Sequence, residues 1–177
     1  EGVLVFAKTP KAASGLTRQI TAKTVTKEYL AVTAQMSDEK QGHLEDYLKK
    51  DSRTNSSSVV ASKTPGAKKA VLDYWVQEEI KDERTETGKR ILVKIALDTG
   101  RHHQIRAQMS NAGMPLLGDS KYGSERSKEL SRDIGCKNVA LCAYKLSFKH
   151  PATHKEMVFE REPDEELFDP FLNEGIL

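Results

Sequence analysis

The sequence predicts an α+β fold whose sheet is mostly antiparallel. Three observations carry that expectation. Strand-like runs outnumber helical ones; two of those runs flank one short, very polar connection as in a hairpin; and two segments show clear helical spacing.

Taken in order, "GVLVFAK" (2–8) is a short continuous apolar run and is expected to be a buried strand with almost no lead-in. "TPKAASGLTRQI" (9–20) reads as a helix, with Thr9 as N-cap, Pro10 at the first helical position, and Ala12, Leu16 and Ile20 at helical spacing. "KEYLAVTAQ" (27–35) alternates and reads as a strand. Residues 51–69 are polar and turn-rich around "SVVAS", a candidate edge strand in what is expected to be the most mobile region. "AVLDYWVQE" (70–78) and "RILVKIALD" (90–98) form the hairpin, placing Leu72, Tyr74 and Val76 on the buried face and leaving Trp75 partly exposed or under a loop.

"HHQIRAQMSNAG" (102–113) reads as the second helix, stopped by Gly113 with Pro115 beyond; His102 and His103 are expected in its first turn. "GMPLLGDSKYG" is a loop, "NVALCAYKLSFKHP" a strand closed by Pro151, and "KEMVFE" a last strand.

At 177 residues the chain is long enough to bury a sizeable core, and a single domain over residues 1–177 is the expectation. No apolar run reaches membrane-spanning length and no signal peptide opens the sequence, so no membrane partner is expected and the cytoplasm is the default compartment. Lys plus Arg number 28 against 26 Asp plus Glu, so distribution matters more than the total. The acidic residues crowd into "EREPDEELFDP" near the end. Without that tail the body is more basic, which weakly favours nucleic acid. Cys136 and Cys142 are too few and wrongly spaced for a zinc ribbon or a disulfide framework, and Cys142 reads as core.

The densest polar cluster is "DTGRHHQIR" (98–106), where Arg101, His102, His103, Gln104 and Arg106 gather at a strand-to-helix junction. Free backbone N–H groups at a helix start, together with two arginines, suit a phosphate or carboxylate; the alternative is ordinary surface groups. The spacing argues against metal, because adjacent histidines on a helix point about 100° apart and no H-E-x-x-H pattern is present. No G-x-S-x-G elbow supports a serine nucleophile, and "GSERSKELS" shares only its serines. Tyr29 fits a core-filling strand tyrosine, and it also fits a ring that stacks on a base. Asp119 fits a turn cap or a ligand-binding carboxylate, with Lys121 and Tyr122 as loop anchors.

Five ordered stretches, "GVLVFAKTPKAA", "KEYLAV", "AKKAVLDYWV", "LDTGRHHQIRAQMSNAGMPLLGDSKYG" and "ALCAYKLSFKHP", are similar to the RluA-type family of RNA pseudouridine synthases, over essentially the whole chain. The resemblance implies a mixed, largely antiparallel sheet with flanking helices and a central cleft, the pseudouridine synthase fold. It implies an enzyme that isomerises a flipped uridine in rRNA or tRNA, with RNA as partner and with neither metal nor organic cofactor. Tyr29 matches the family tyrosine that packs on the target base and is proposed to take its C5 proton. Arg106 matches the arginine paired with the catalytic aspartate, and Leu141 an apolar residue lining the uridine pocket. Arg101, His103 and Gln104 are expected to support the cleft or meet RNA phosphates, with Lys8, Lys11, Lys27 and the 63–69 loop as further candidates.

Two departures matter. Where the family has threonine in "TGRTHQIR", this chain has His102. The family aspartate lies in an H-R-x-D motif upstream of the opening apolar run, so the domain is expected to lack its N-terminal portion and these residues to be inactive as they stand. The alternatives are a catalytically dead RNA-binding module that keeps the cleft, and an enzyme for a small anion or sugar phosphate built around the Arg/His cluster.

Overall fold

In the computed structural model, which describes residues 1–36 and 39–172, seven strands form one sheet. In chain order they are β1 (Thr26–Thr33), β2 (Gln41–Asp51), β3 (Ser56–Val59), β4 (Lys68–Lys81), β5 (Lys89–Leu97), β6 (Leu141–Lys149) and β7 (Glu156–Glu160). The spatial order is β3-β2-β4-β5-β1-β6-β7, and every pairing between these strands is antiparallel. The helices among the described residues are α1 (Pro10–Thr21), α2 (Gln104–Asn111), α3 (Glu125–Asp133) and the short α4 (Asp169–Leu172).

β1 lies between β5 and β6, and its residues from Leu30 to Thr33 are fully buried. Alternation along the strands divides them between two cores. Leu30, Val32, Leu92 and Cys142 face α3 and the C-terminal segment, packing with Leu130, Phe168 and Phe171. Ala31, Leu72, Tyr74, Val93 and Ile95 face the other way and pack with Ile105 and Met109 of α2. Leu72 and Tyr74 are buried as the hairpin pattern predicts, while Trp75 is half-exposed with the Lys94 ammonium 5.3 Å from its ring centre. A β-bulge between Val76 and Glu78 shifts the hairpin's register near its tip.

The first helix begins where the sequence says it should. Thr9 Oγ1 accepts from Ala12 N at 3.2 Å, and Pro10 occupies the first turn, where its missing N–H has no partner to lose. The Ala12, Leu16 and Ile20 face is only partly covered; the contact is made at Gly15, where an added Cβ would come within 2.8 Å of Pro151 Cβ.

Two expectations are corrected. The opening run is not a buried strand: Val3 N donates to Ala143 O and Ala143 N to Glu1 O, but Leu4 and Phe6 are 78% and 84% exposed. One edge of β6 is taken by β1 and the other, from Lys145 onward, by β7, so the run meets only a short free edge with no second neighbour. The largely antiparallel sheet expected is found, the Gly2–Ala143 bridge being its parallel element. The acidic segment near the end is no tail, because its Phe168, with Phe171 just beyond, is fully buried in the first core. β2 and α3 are not legible in the sequence: "HLEDYLKKD" carries too many charges to alternate cleanly, and α3 shows the core little beyond Leu130.

No helix among the described residues is long and apolar enough to cross a membrane. If the C-terminal segment belongs to the core, Phe171→Ala should cost about 3–5 kcal/mol by denaturant unfolding. A cost below about 1 kcal/mol would show that it docks without contributing.

Candidate active site

Tyr29 lies on β1 opposite Ile95 of β5, on the sheet face covered by α2. On its other side the β1–β6 register is broken, Glu28 pairing with Lys145 and Leu30 with Cys142, so β6 carries one extra residue and bulges opposite the tyrosine. Bulges re-aim a side chain and are common beside active sites. Tyr29 is half-buried against the same core as Leu141 and Ile105, and burial pushes its phenol pKa up, so the ring carries its proton at neutral pH.

From β5 the chain turns through Asp98 to His103 into α2. Val71 of β4 anchors the turn: its N–H donates to Thr99 Oγ1 at 2.8 Å, and its carbonyl accepts from Gln104 Nε2 at 3.0 Å. Gln104 Oε1 accepts from Thr99 Oγ1 and from Arg101 N. Its amide thus holds the turn through both its oxygen and its nitrogen, and the residue is 2% exposed. Arg101 is exposed; its Nε donates to Lys69 O at 2.9 Å, leaving the outer guanidinium nitrogens toward solvent. Asp98 pairs with Lys23 at 2.5 Å. Lys27 is half-buried nearby, its ammonium pKa lowered first by burial and then by Arg101, against the pull of Asp98.

The histidines precede the helix rather than forming its first turn. His103 is the N-cap with φ of 51°, a left-handed conformation few residues other than glycine adopt, and its side chain makes no capping bond. The reversal brings the two rings face to face, 3.9 Å apart, instead of splaying them. His103 Nδ1 lies 3.0 Å from Tyr122 Oη, and His102 Nδ1 3.0 Å from Ser57 Oγ. Both imidazole pKa values are lowered: for His102 by burial and then Lys50, Lys121 and Arg106, for His103 by burial and then Arg106, His102 and Lys121. Neutral His103 can therefore accept from the Tyr122 hydroxyl.

Arg106 finds its carboxylate within the chain. Its Nε donates to Asp119 Oδ2 and its Nη2 to Asp119 Oδ1, both at 2.7 Å, and the guanidinium sits 4.9 Å from the centre of the Tyr122 ring. A guanidinium largely withdrawn from water needs such a partner. Asp119 is also the turn cap the sequence allows, since its Oδ1 accepts from Lys121 N and Tyr122 N. Burial works to raise its pKa, but the bonds from Arg106 and those two amides outweigh it and hold the carboxyl below its ordinary value. Lys121 and Tyr122 anchor the loop as expected: Lys121 Nζ donates to the carbonyls of Thr54 and Asn55, and Tyr122 Oη accepts from Ser57 N. Tyr29 and Leu141 thus share one core, while Arg106 is joined to Asp119 and Tyr122. The sequence carried no sign of Ser57, which directly precedes the candidate edge strand in the polar, turn-rich 51–69 region.

Removing one partner from a buried, doubly bonded ion pair leaves a costly charge, so Asp119→Asn should destabilise the fold by roughly 3–5 kcal/mol, read as a lowered Tm. Because the Asp119 pKa is depressed on folding, its contribution is complete above the ordinary value of 3.8 and is lost as pH falls below it. For His102 and His103 the neutral form is favoured on folding, so stability is full above 6.5 and declines as pH drops below that. NMR titration should place both imidazole midpoints below 6.5; a midpoint above it would mean that an anion, not the hydroxyl network, faces the rings.

Residues 1–111 match the family model described as RNA pseudouridylate synthase. The chain is 34% identical over 166 residues to "Uncharacterized RNA pseudouridine synthase YlyB" of Bacillus subtilis, covering 94% of this chain and 50% of that protein. It is 29% identical to "tRNA pseudouridine synthase C" of Haemophilus influenzae over 93% of this chain and 70% of that protein. With "Ribosomal large subunit pseudouridine synthase D" of Zymomonas mobilis it shares 31% identity over 94% of this chain and 50% of the relative. The chain therefore spans about half the length of most of the curated relatives it matches. In fold it resembles the solved structure of "Human RNA Pseudouridylate Synthase Domain Containing 1", with a TM-score of 0.71 at 23% identity over 89% of this chain and 62% of that one. With the family model matching residues 1–111, more than half of the chain, the chain belongs to the RNA pseudouridylate synthase family.

Proposed function

We propose that these residues form the uridine-facing part of an RNA pseudouridine synthase acting on rRNA or tRNA. The observation that carries this reading is the half-buried Tyr29, packed on the α2 face of the sheet against the same apolar cluster as Leu141, where β6 bulges opposite it. A uridine's reacting atoms are hidden while it is stacked, so the base must first be flipped out of its strand. Tyr29 and Leu141 offer it an aromatic and an aliphatic surface to replace the lost stacking. An aspartate acting at the flipped nucleotide's ribose would then let the glycosidic bond break, and the base would rotate and rejoin through carbon.

That aspartate, by its H-R-x-D motif, is not among residues 1–177. Arg106 is suited to hold it: Asp119 takes Nε and Nη2 and fixes the guanidinium plane, and Nη1 remains for a second carboxylate. A fork so held keeps the incoming carboxylate ionised and oriented. Arg101 and His103 support the turn beside this site, and Gln104 positions Arg101 through its backbone. The second reading, an RNA-binding module without turnover, is favoured by the same pair, since Arg106 is satisfied without any further partner.

The 177-residue chain should bind RNA with an affinity that falls as salt rises, and should form no pseudouridine in a mass-based assay. Pseudouridine formed by these residues alone would assign the chemistry to an aspartate within them. In a chain extended to carry the H-R-x-D motif, Arg106→Lys should reduce turnover at least about 100-fold while RNA affinity changes little, because lysine keeps the charge but loses the fork. Equal losses in both would make Arg106 a phosphate contact.

A further inference from the structure

A small basic pocket opens at the β3 end of the sheet, outside the tyrosine site. Its volume is about 180 Å³, and Lys50, Ser57, Lys68, Arg101 and His102 line it over a floor of Leu48. Register places the strand residues on one face: Leu48 pairs with Lys68 and Lys50 with Ser57, so all four project to the side that α2 covers. Tyr29 lies on that same side, through the Tyr74, Ile95 and Tyr29 row.

The charges converge without acidic compensation. Lys69, the next residue along β4, projects to the opposite face and is paired with Glu45 at 2.8 Å. Among the described residues no ion pair joins a carboxylate to Lys50, Lys68 or Arg101. Arg101 is oriented by its Nε bond to Lys69 O, and His102 by Ser57 Oγ. The His102 imidazole, disfavoured as a cation first by burial and then by Lys50, feels the same positive field. A pocket below the roughly 300 Å³ of ordinary small-molecule sites suits one compact anionic group.

We propose that this pocket is a subsite for a single phosphate group, contributed by the backbone of a bound RNA strand. The proposal rests on the RNA reading above. Three strand spacings, roughly 14 Å, and six residues along β4, roughly 20 Å, separate the pocket from Tyr29. The phosphate held there therefore belongs to a nucleotide several positions from the flipped uridine, so the subsite sets register and affinity and takes no part in bond making.

The test uses the 177-residue chain and a fluorescent single-stranded RNA, with affinity followed across a salt series. Lys50→Ala combined with Lys68→Ala should lower the slope of log K against log salt by about 0.7, the contribution of one single-strand phosphate contact. Lys155→Ala, a surface lysine outside the pocket, should leave the slope unchanged. Inorganic phosphate titrated into the chain should shift the amide resonances of Ser57, Lys68, Arg101 and His102, and the double variant should abolish those shifts. An unchanged slope in the double variant overturns the proposal while leaving RNA binding intact; phosphate shifts accompanying it would assign the pocket to free phosphate. If the chain binds no RNA at all, the functional reading fails, and the RNA subsite fails with it whatever phosphate does.

Discussion

The carboxylate of Asp119 is the point through which the α2 side of the molecule is held together. It takes two bonds from the Arg106 guanidinium and two from backbone amides of its own turn, so a helix and a loop are fixed to one small group. The turn then presents Tyr122, whose hydroxyl reaches both His103 at the helix entrance and the backbone of β3. Gln108, two residues along α2 from Arg106, completes the arrangement by donating to Asp46 of β2. A side chain that loses its hydration on burial must be met from several directions, and here those directions belong to different parts of the chain.

The two sheet faces divide the labour. One is closed by α3, α4 and the Phe168 region, and is apolar around Leu30 and Leu92. The other is apolar near α2 and becomes polar toward β3. This gradient places a half-buried tyrosine, a satisfied arginine and exposed lysines on a single surface, an arrangement suited to a long polyanion with one base withdrawn from it.

Much of this was legible in the sequence where local chemistry decides structure. Thr9 and Pro10 start α1, the β4–β5 alternation sets which hairpin residues are buried, and Cys142 reads as core. The failures occur where long-range partners decide. Leu4 and Phe6 look like a strand, yet β6 has only a short free edge to offer them. His102 and His103 fit a helical pattern, but the Tyr122 and Ser57 contacts favour a left-handed turn. Phe168 and Phe171 are hidden from sequence reading by the acids around them. At the site, the motif identified Arg106 and the turn chemistry identified Asp119, but only the fold joins them, thirteen residues apart.

The tie between Tyr122 and Ser57 also bears on solubility. β3 is an edge strand, and an open edge is a template on which another chain can add a strand and begin to aggregate. Here the outward N–H of Ser57 is occupied by the Tyr122 hydroxyl, and the carbonyls of Thr54 and Asn55 by Lys121. The loop that carries Arg106's partner thus also blunts the edge, so a substitution chosen to disturb the site would expose an adhesive strand as well.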